Sequence, residues 1–600
     1  MCGIAGIIQW ETPIEDGIIE RMTETIQHRG PDATDYKKYE HAHFGHQRLA
    51  IIDVTYGHQP MTKEHGAEQY TIVYNGELYN AASLRKELEQ LDYQFTTNCD
   101  TEVLLISYIH WGPSCLERLN GIFSFGVWEK NAERLFLARD RFGVKPLFYV
   151  QQANTILFAS EIKALLTHPM VEPVVTKRGI QQLLTIGPSR MLGETVFHQI
   201  KEIKPAHAML SSRHESKMWR YWQLEESKHE HNAQQTVLHT RNLLEETMQQ
   251  QIVSDVPVCT LLSGGVDSSI ITALVAKEYE RTGQPLYTFS VDYEEQDQFF
   301  KTSEFLHAQD DMYIQLVKER YNTIHNNVIL KPDQLAESLE RALLLKDYPG
   351  MTDIDSSLFL FCKEIAKDFK VALSGECADE LFAGYPWYFG QYDNFPWVRA
   401  VKDRESLLRK PWRENLQLER AEQEFYKQAS DAIPYENEQH RMSQLNFDYF
   451  MQTLLERKDR MSMGSGLEVR VPFANHELVE YVWNVPWEIK TLNGQAKGLL
   501  REAAKDLLPK DVLERRKNPY PKVQHPQYTA AVTKLLQEAL LDYNSILYEL
   551  FDVEALQQLI EDDSALQTPW YGQLMSRPQF IAYLYQLDLW MKQYNIKLML

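Results

Sequence analysis

The pattern of apolar residues changes once along this chain, and that change constrains the fold more than any other feature of the sequence. Up to about residue 222, short runs of aromatic and β-branched residues alternate with turn residues. Beyond residue 235, continuous apolar runs alternate with helical segments. Short, closely spaced strands are typical of layered sheets, whereas strand–helix alternation is typical of a parallel sheet covered on both faces. The sequence therefore predicts two domains of different fold class.

A polar stretch separates the two patterns. Residues 223–235 are rich in Glu, Ser, Lys, His, Asn and Gln, which is typical of a linker. A length of 600 residues also exceeds what one hydrophobic core usually organises. We therefore predict a first domain over 2–222, a linker over 223–235 and a second domain over 236–600.

Local patterns predict individual elements within each domain. In the first domain we expect strands at Gln69–Tyr74, Ile122–Val127, Arg134–Ala138 and Pro146–Val150, and helices at Asn80–Leu91 and Thr101–Tyr108. Asn75-Gly76 is interpreted as a turn that follows the first of these strands. In the second domain we expect helices at Val237–Gln250 and Ile270–Tyr279 and strands at Pro257–Leu262, Leu286–Val291 and Lys370–Leu373. The remainder of the chain is expected to be mainly helical.

The charge and the cysteine content exclude several classes of protein. Lys and Arg total 62 and Asp and Glu total 84, a net charge of −22, so nucleic acid is not expected as a partner. No basic, apolar leader opens the chain, and no apolar run is long enough to span a bilayer. The six cysteines form no CxxC pair and are too sparse for a disulfide framework. We expect a cytoplasmic protein without membrane contact.

Cys2 carries special chemistry because of its position. If Met1 is removed, Cys2 presents both a thiol and a free α-amine, whose reference pKa is about 7.7–8.0. That amine serves as general base for its own side chain, which is the N-terminal-nucleophile arrangement. Taken alone, a cysteine here is more often a small buried residue near a chain end.

Four further motifs accompany Cys2-Gly3-Ile4-Ala5-Gly6. They are His28-Arg29-Gly30-Pro31-Asp32, Arg48-Leu49-Ala50-Ile51-Ile52-Asp53, Tyr74-Asn75-Gly76-Glu77-Leu78-Tyr79-Asn80 and Asp100-Thr101-Glu102. The five segments together resemble the class II glutamine amidotransferase domain over residues 2–222. The resemblance implies an α+β domain built as an αββα sandwich of the N-terminal-nucleophile hydrolase type.

The resemblance also implies a role for each matching residue. Cys2 attacks the side-chain carbonyl of glutamine and releases ammonia, while Asn75 and Gly76 form the oxyanion hole. Arg48 binds the α-carboxylate of glutamine, and Asp100 holds its α-ammonium. The rest of the glutamine pocket is lined by Glu77 and by Arg48, Leu49, Ala50, Ile51 and Ile52. Without Cys2, the same motifs read as a hairpin turn at Asn75-Gly76, an N-cap at Asp100 and a surface charge at Arg48.

A second motif lies between an apolar strand and a helix in the other domain. It reads Leu261-Leu262-Ser263-Gly264-Gly265-Val266-Asp267-Ser268-Ser269. Backbone N–H groups of such a loop cradle phosphate oxygens, glycines permit close approach, and a carboxylate such as Asp267 suits Mg²⁺. The loop is not of the GxxxxGK[ST] type. It resembles the SGGxDS loop of ATP pyrophosphatases, which cleave ATP between the α and β phosphates, and this resemblance implies an α/β domain with a helical C-terminal part.

A second acidic cluster, Ser374-Gly375-Glu376-Cys377-Ala378-Asp379-Glu380, also follows an apolar strand. Because ligands bind beyond the carboxyl ends of strands in an open α/β sheet, we expect Asp379 near Asp267, where the two share Mg²⁺. The resemblance assigns Glu376 to acyl-adenylate formation and Lys497, in Gly494-Gln495-Ala496-Lys497, to contact with the phosphates. It assigns nucleotide contacts to Leu262, Ser263, Gly264, Gly265, Asp267, Ser268, Val291, Ser374 and Gly375. Asp459, Arg460 and Arg470, in two further signature segments, fit structural ion pairs equally well.

A half that makes ammonia and a half that makes an acyl-adenylate together form an amide synthetase. Nearly the whole chain resembles glutamine-hydrolysing asparagine synthetases. That family converts aspartate, glutamine and ATP into asparagine, glutamate, AMP and pyrophosphate, with ammonia passing through an internal tunnel. The small-molecule substrates and Mg²⁺ follow from the resemblance, and a homodimer follows by analogy alone.

Some segments depart from the family pattern and leave the acceptor open. The stretch 347–357 is acidic and lacks an arginine found where some members are thought to bind aspartate, so diaminopimelate in cell-wall precursors is an alternative acceptor. Glucosamine-phosphate synthases and phosphoribosyl amidotransferases fit the first half but lack SGGxDS. A non-catalytic relative and an ammonia-dependent enzyme with a silent glutaminase half are disfavoured because Cys2, Asn75 and Asp267 are all present.

Overall fold

The computed structural model describes residues 2–302, 307–566 and 568–599. Within them, the N-terminal part contains two antiparallel sheets of six strands each. Its strands are β1 (Cys2–Gln9), β2 (Ala33–Lys38), β3 (Ala42–Arg48), β4 (Met61–His65), β5 (Glu68–Leu78), β6 (Gly121–Glu129), β7 (Arg134–Arg139), β8 (Phe148–Gln152), β9 (Thr155–Ala159), β10 (Val174–Thr176), β11 (Lys201–Glu202), β12 (His207–Ser211) and β13 (Ser216–Arg220). Its helices are α1 (Ile18–Glu24), α2 (Ala81–Gln90), α3 (Asp100–Trp111), α4 (Ile162–Leu166) and α5 (Lys177–Thr185).

The two sheets stack face to face between layers of helices. One sheet has the order β11-β8-β9-β1-β3-β2 and the other β13-β12-β7-β6-β5-β4. Successive side chains of a strand point to opposite faces, so Ile4 and Ile8 of β1 pack between the sheets while Ile7 packs toward α1. Helices α2 and α3 cover the outer face of the second sheet through residues such as Leu84 and Val103. The predicted αββα sandwich is confirmed.

The dipeptide Asn75-Gly76 is not a turn, contrary to the expectation from its composition. It lies inside β5, which continues to Leu78, and Gly76 pairs with Phe123 of β6. A Cβ atom on Gly76 would lie 2.2 Å from the carbonyl oxygen of Ile122, so the neighbouring strand requires glycine here. The glycine that suggested a turn therefore serves close strand packing.

The C-terminal part is built on one parallel sheet of order β16-β15-β14-β17-β18. Its strands are β14 (Val258–Leu261), β15 (Tyr287–Tyr293), β16 (Ile324–Leu330), β17 (Val371–Leu373) and β18 (Glu468–Arg470). The helices are α6 (Ala233–Gln251), α7 (Val266–Thr282), α8 (Gln296–Phe299), α9 (Asp311–Tyr321), α10 (Pro332–Glu337), α11 (Leu339–Lys346), α12 (Asp353–Ile365), α13 (Ala378–Leu381), α14 (Val401–Ser406), α15 (Lys410–Leu416), α16 (Leu418–Asp431), α17 (Glu438–Leu445), α18 (Met451–Met463), α19 (His476–Trp483), α20 (Trp487–Lys490), α21 (Gly498–Ala503), α22 (Lys510–Glu514), α23 (Pro526–Ala539), α24 (Ile546–Leu550), α25 (Val553–Glu561) and α26 (Arg577–Gln593). The predicted α/β class with a helical remainder is confirmed.

Helix α6 begins four residues before the predicted Val237. Asn232 caps it, because its side chain accepts a hydrogen bond from the backbone of Gln235 while the Gln235 side chain bonds back to the backbone of Asn232. The polar composition that indicated a linker therefore includes the first turn of this helix.

The two parts are joined by pairing as well as by the chain. The strand β19 (Lys597–Met599) runs parallel to β10 of the N-terminal part. No helix in the described ranges combines the length and the apolar character needed to cross a membrane. All six cysteines are free and buried.

Candidate active sites

Cys2 opens β1 in the middle of the first sheet. Its backbone is held from three sides: β1 pairs Cys2 with Arg48 of β3, the Cys2 N–H donates to Asn75 Oδ1 (2.9 Å), and Arg29 Nε donates to the Cys2 carbonyl (3.1 Å). Burial raises the pKa of the Cys2 thiol, while the Leu49 backbone and the Arg48 charge act in the opposite direction. A thiol with a raised pKa needs a base to become a nucleophile. The predicted base is the α-amine that Cys2 gains if Met1 is removed, and Met1 lies outside the described residues.

Asn75 has the geometry of an oxyanion donor. Its side chain is fully buried, its Oδ1 accepts from Cys2, and its Nδ2 has no hydrogen-bond partner among the described residues. A buried amide N–H₂ without a partner is costly unless a ligand supplies an acceptor. The orphaned donor beside Cys2 therefore fits a site that binds a developing oxyanion.

Arg48 and Asp100 approach the same region from different elements. Arg48 is buried at the end of β3 and donates to the carbonyls of Asp53 (2.7 Å) and Val54 (2.8 Å). Asp100 begins α3, and its Oδ2 accepts from the hydroxyl of Tyr74 (2.9 Å) and the N–H of Leu78 (3.0 Å). Neither alternative reading holds, because Arg48 is not at the surface and Cys99, not Asp100, occupies the N-cap position.

The remaining predicted pocket residues flank these groups. Leu49, Ala50 and Ile51 are buried, and Ile52 is partly buried. Glu77 is buried two residues after Asn75, and its Oε2 lies 3.3 Å from Nη2 of Arg470. Burial raises the pKa of Glu77, and the Arg470 charge opposes that rise.

The nucleotide loop connects β14 to α7. Gly264 has a positive φ of 66°, and a Cβ atom there would lie 2.7 Å from Cβ of Tyr313, so both conformation and space require glycine. The hydroxyl of Ser268 lies 3.1 Å from that of Ser263 and bonds the Ser263 N–H (3.2 Å), which closes the loop over the start of α7. The N-terminus of a 17-residue helix then faces the loop.

The acidic cluster after β17 packs directly on this loop. Strands β14 and β17 are parallel neighbours, and a Cβ on Gly375 would lie 2.8 Å from the Ser268 nitrogen and 3.0 Å from Cβ of Asp267. The structure thus brings the two sequence-predicted clusters together, as expected from strand ends in a parallel sheet.

Two lysines neutralise the two facing carboxylates. Lys497 Nζ lies 2.5 Å from Asp267 and 2.6 Å from Asp379, and Lys517 Nζ lies 2.7 Å from the other oxygen of Asp379. Burial raises the pKa of Asp379, but the two ammonium groups outweigh it and lower that pKa to about 2. Burial lowers the pKa of Lys497, and the two carboxylates outweigh it, so its pKa is raised.

Asp267 and Asp379 fit a divalent cation that also has phosphate ligands. Oδ1 of Asp267 is buried and has no hydrogen-bond partner among the described residues. In the same described ranges, no group of three or more His, Cys, Asp or Glu residues is placed to hold a metal ion. Mg²⁺ is commonly bound by one or two carboxylates together with substrate phosphates, so this donor set fits Mg²⁺ brought in with ATP.

A cavity of about 250 Å³ extends from the loop toward α18. Among the residues lining it are the predicted Leu262, Ser263, Gly265, Asp267, Ser268, Val291, Ser374, Gly375, Glu376, Asp379 and Lys497. Glu376 lies on its wall, with one oxygen 3.1 Å from Lys458 Nζ and the other buried without a hydrogen-bond partner in the described ranges. A larger groove of about 1530 Å³ lies elsewhere on the sheet and is lined by none of the predicted residues, so the smaller cavity is the candidate nucleotide site.

Sequence reasoning missed one segment of the cavity wall. The consecutive residues 515–521 all line it, and Arg515 donates to the carbonyl of Ser263 (2.8 Å). The signal was present in the basic triplet Arg515-Arg516-Lys517, which precedes two prolines, Pro519 and Pro521.

The three ambiguous charged residues of the signature segments form buried ion pairs. Asp459 receives a bidentate pair from Arg29 (2.8 and 3.1 Å), Arg460 lies 3.0 Å from Asp347, and Arg470 bonds Glu468 (2.6 Å). The acidic stretch 347–357 is likewise buried structure in part, because Asp347 also accepts from the Ile162 N–H.

Family models match both halves of the chain. The model described as asparagine synthase matches residues 239–592, and the model described as glutamine amidotransferase domain matches residues 1–222. The first match alone spans more than half of the chain. The chain belongs to the asparagine synthase family.

Curated members of this family align with nearly all of the chain. Asparagine synthetase [glutamine-hydrolyzing] 3 of Bacillus subtilis (strain 168) is 46% identical, with 99% of each chain covered. Asparagine synthetase [glutamine-hydrolyzing] 1 of the same strain is 30% identical over 94% of this chain and 93% of its own. Among solved structures, a glutamine phosphoribosylpyrophosphate amidotransferase from B. subtilis is 20% identical, covering 50% of this chain and 69% of that chain with a TM-score of 0.29. A likeness at that score carries no argument about function.

Proposed function

We propose that this chain is a glutamine-dependent asparagine synthetase, which amidates the side-chain carboxylate of aspartate and cleaves ATP to AMP and pyrophosphate. One observation carries the proposal: a buried N-terminal cysteine site and an SGGxDS nucleotide site occur in one chain that is 46% identical to a glutamine-hydrolysing asparagine synthetase. Either site alone fits other enzymes, whereas the combination fits this reaction. We propose the boundaries 2–222, 223–235 and 236–600 for the glutaminase domain, the linker and the synthetase domain.

In the glutaminase site, the thiol of Cys2 adds to the amide carbon of glutamine. The free α-amine of a mature N-terminus takes the thiol proton and delivers it to departing ammonia, leaving a glutamyl thioester that water hydrolyses. Nδ2 of Asn75 and the Gly76 N–H stabilise the oxyanion in both steps. Arg48 and Asp100 bind the α-carboxylate and the α-ammonium of glutamine, with Arg48 turning from its loop carbonyls toward the ligand.

In the synthetase site, the loop N–H groups and the start of α7 bind the phosphates. The aspartate carboxylate attacks the α-phosphorus, pyrophosphate departs, and ammonia then displaces AMP from the acyl-adenylate. Lys497 and Lys517 neutralise the departing pyrophosphate, and Glu376 faces the reacting carboxylate. Asp267 and Asp379 would hold Mg²⁺, which would neutralise charge on the phosphates when bound.

Isotope transfer tests the proposal. Protein with a verified Cys2 N-terminus is incubated with amide-¹⁵N glutamine, ATP, Mg²⁺ and aspartate, and we expect labelled asparagine in equal amounts with AMP and pyrophosphate. Labelled product from diaminopimelate but not from aspartate would replace the acceptor and keep the two-site chemistry. Absence of glutamate release would refute the glutaminase half. The homodimer and the cytoplasmic location stay predictions, and light scattering checks the former.

A further inference from the structure

Arg470 belongs to the synthetase part but its side chain reaches the glutaminase part. It ends β18, its backbone carbonyl accepts from the N–H of Ser374 (3.0 Å), and its guanidinium is fully buried. Nη1 donates to the carbonyls of Gln251 (2.5 Å) and Val253 (2.7 Å), and Nε donates to Glu468.

The first contact of Arg470 reaches β5, the strand that carries Asn75 and Gly76. Nη2 of Arg470 lies 3.3 Å from Oε2 of Glu77, which follows Asn75-Gly76 on β5. Both side chains are buried, so their attraction is weakly screened by solvent. Nη2 of Arg470 has no hydrogen-bond partner among the described residues, so the contact with Glu77, on one wall of the proposed glutamine pocket, is a buried ion pair.

A second series of contacts leads from Arg470 to Arg48, the residue proposed to bind the α-carboxylate of glutamine. The carbonyls that Arg470 binds belong to the end of α6 and to the turn that leads to Asp255. The N–H of Asp255 donates to the carbonyl of Ile51 (3.1 Å), and its Oδ2 accepts from the N–H of Asp53 (2.8 Å). The carbonyl of Asp53 in turn accepts from Nη2 of Arg48 (2.7 Å).

The loop that holds Arg48 is also tied within the glutaminase part, where the two carboxylate oxygens of Asp53 accept from the N–H groups of Tyr56 (3.1 Å) and Asn98 (2.7 Å). Val54 is 49% exposed and Tyr56 is 67% exposed, so side-chain packing does not fix this part of the loop. The two hydrogen bonds to Asp255 tie this segment, beside Arg48, to the synthetase part.

We infer that Arg470 and Asp255 of the synthetase part are positioning residues for glutamine binding. They act through Glu77 on one wall of the pocket and through Asp53 on Arg48. The inference rests on the proposed function. Because contacts from the synthetase domain position Arg48, the glutaminase domain binds glutamine well only when the two domains are docked.

Asp255 offers the cleaner test because it is exposed and its replacement leaves the core intact. In the full-length protein, Asp255→Ala removes the acceptor for the Asp53 N–H, and we expect KM for glutamine to rise about tenfold, since a charged hydrogen bond is lost. Asp255→Asn keeps an oxygen acceptor and should restore KM to within about threefold of the original value. Ammonia-dependent asparagine synthesis should stay unchanged in both variants.

Asp506→Ala is the matched control, because Asp506 is also exposed and pairs with Arg241 inside the synthetase part. We expect it to leave KM for glutamine unchanged. Arg470→Lys keeps one charge but cannot bind two carbonyls and two carboxylates at once, so its KM for glutamine should also rise. If Arg470→Lys fails to fold, Asp255→Ala still decides the question.

A KM for glutamine that stays within twofold of the unmodified protein in Asp255→Ala overturns the inference, as does an equal rise in Asp255→Asn. These outcomes presuppose that the unmodified protein releases glutamate from glutamine and makes asparagine. If it does neither, the proposed function fails together with the inference. If it does both while Asp255→Ala behaves normally, only the inference fails.

Discussion

At the scale of single residues, Asn75 is the most informative position, because its two side-chain atoms have opposite roles. Oδ1 accepts from the Cys2 N–H, and Nδ2 has no hydrogen-bond partner in the part of the chain that the structure describes, which suits the oxyanion donor proposed above. Asn75→Ala removes both, and we expect kcat for glutamine hydrolysis to fall about 10²- to 10³-fold, the usual cost of one oxyanion donor. Glutamate release measures it, with ammonia-dependent synthesis as the internal control. A loss of ammonia-dependent activity of the same size would contradict the assignment.

Cys2→Ser should separate the two half-reactions. The hydroxyl is a far weaker nucleophile than a thiolate, so we expect glutamine-dependent asparagine formation to fall at least about 10³-fold while the ammonia-dependent rate is kept. The comparison uses saturating ammonium against saturating glutamine at fixed ATP and aspartate. Cys115→Ser, at a buried free cysteine outside the site, is the control and should keep glutamine-dependent turnover.

The sequence predicted these residues because their chemistry depends on the side chain itself and on fixed local spacing. Lys517 was not predicted as a site residue, although it bonds Asp379. A lysine in a basic triplet is usually solvent-exposed, and only the fold brings a distant carboxylate beside it. Ion-pair partners separated by more than a hundred positions are brought together by the fold, so no local sequence pattern predicts them.

At the scale of elements, the strand ends of the parallel sheet were predictable and the irregular connections were not. The apolar runs before Ser263 and Ser374 gave the strands, and sheet geometry gave their adjacency. The interpretation of Asn75-Gly76 as a turn was wrong because a glycine demanded by a neighbouring backbone has the same composition as one demanded by a turn. Sequence alone does not separate these two causes.

The turn after α13 yields a prediction of its own. A Cβ on Gly384 would lie 1.9 Å from Oδ1 of Asp379 and 2.4 Å from Cε of Lys497. Gly384→Ala must therefore displace these charged groups, and we expect ATP-dependent activity to fall at least about tenfold while glutaminase activity is kept. Pyrophosphate release measures the effect.

Gly390→Ala is the control, since Gly390 has an extended backbone outside this turn and the nearest atoms to its added methyl belong to the ring end of Tyr392. We expect Gly390→Ala to keep pyrophosphate release. An unaffected Gly384→Ala would show that the geometry around Asp379 is not needed for ATP cleavage.

At the scale of the whole molecule, buried charges cross the contact between the two parts. Arg29 and Lys145 of the N-terminal part both bond Asp459 of α18. Asp459→Asn leaves these two cations buried with one partner fewer, and we expect a loss of about 3–5 kcal/mol in the free energy of unfolding. Thermal or denaturant unfolding measures it. Asp431→Asn, which removes an exposed helical pair with Lys427, should cost less than about 1 kcal/mol.

The same carboxylate gives the contact a definite pH dependence. Burial raises the pKa of Asp459, but Arg29 and Lys145 outweigh it, so the folded pKa lies below the ordinary value of about 3.9. Its contribution is therefore complete above that value and is lost as the pH falls through the folded pKa. Unfolding measured from pH 7 down to pH 3 should show a steeper acid loss in the unmodified protein than in Asp459→Asn. Parallel curves would refute this link.

The pairing of β10 with β19 has a consequence for the order in which this protein is assembled. Residues 174–176 find their partner at 597–599, so the pair encloses almost everything between them and closes late, because distant contacts form slowly. Until then, the edge of β10 that faces β19 is unpaired, which invites pairing with another chain. An intermediate with this edge unpaired is prone to aggregate. Residues 2–222 expressed alone should therefore aggregate more readily than the full-length protein. A purification tag fused after β19 risks the same effect, because it lies next to the strand that pairs with β10.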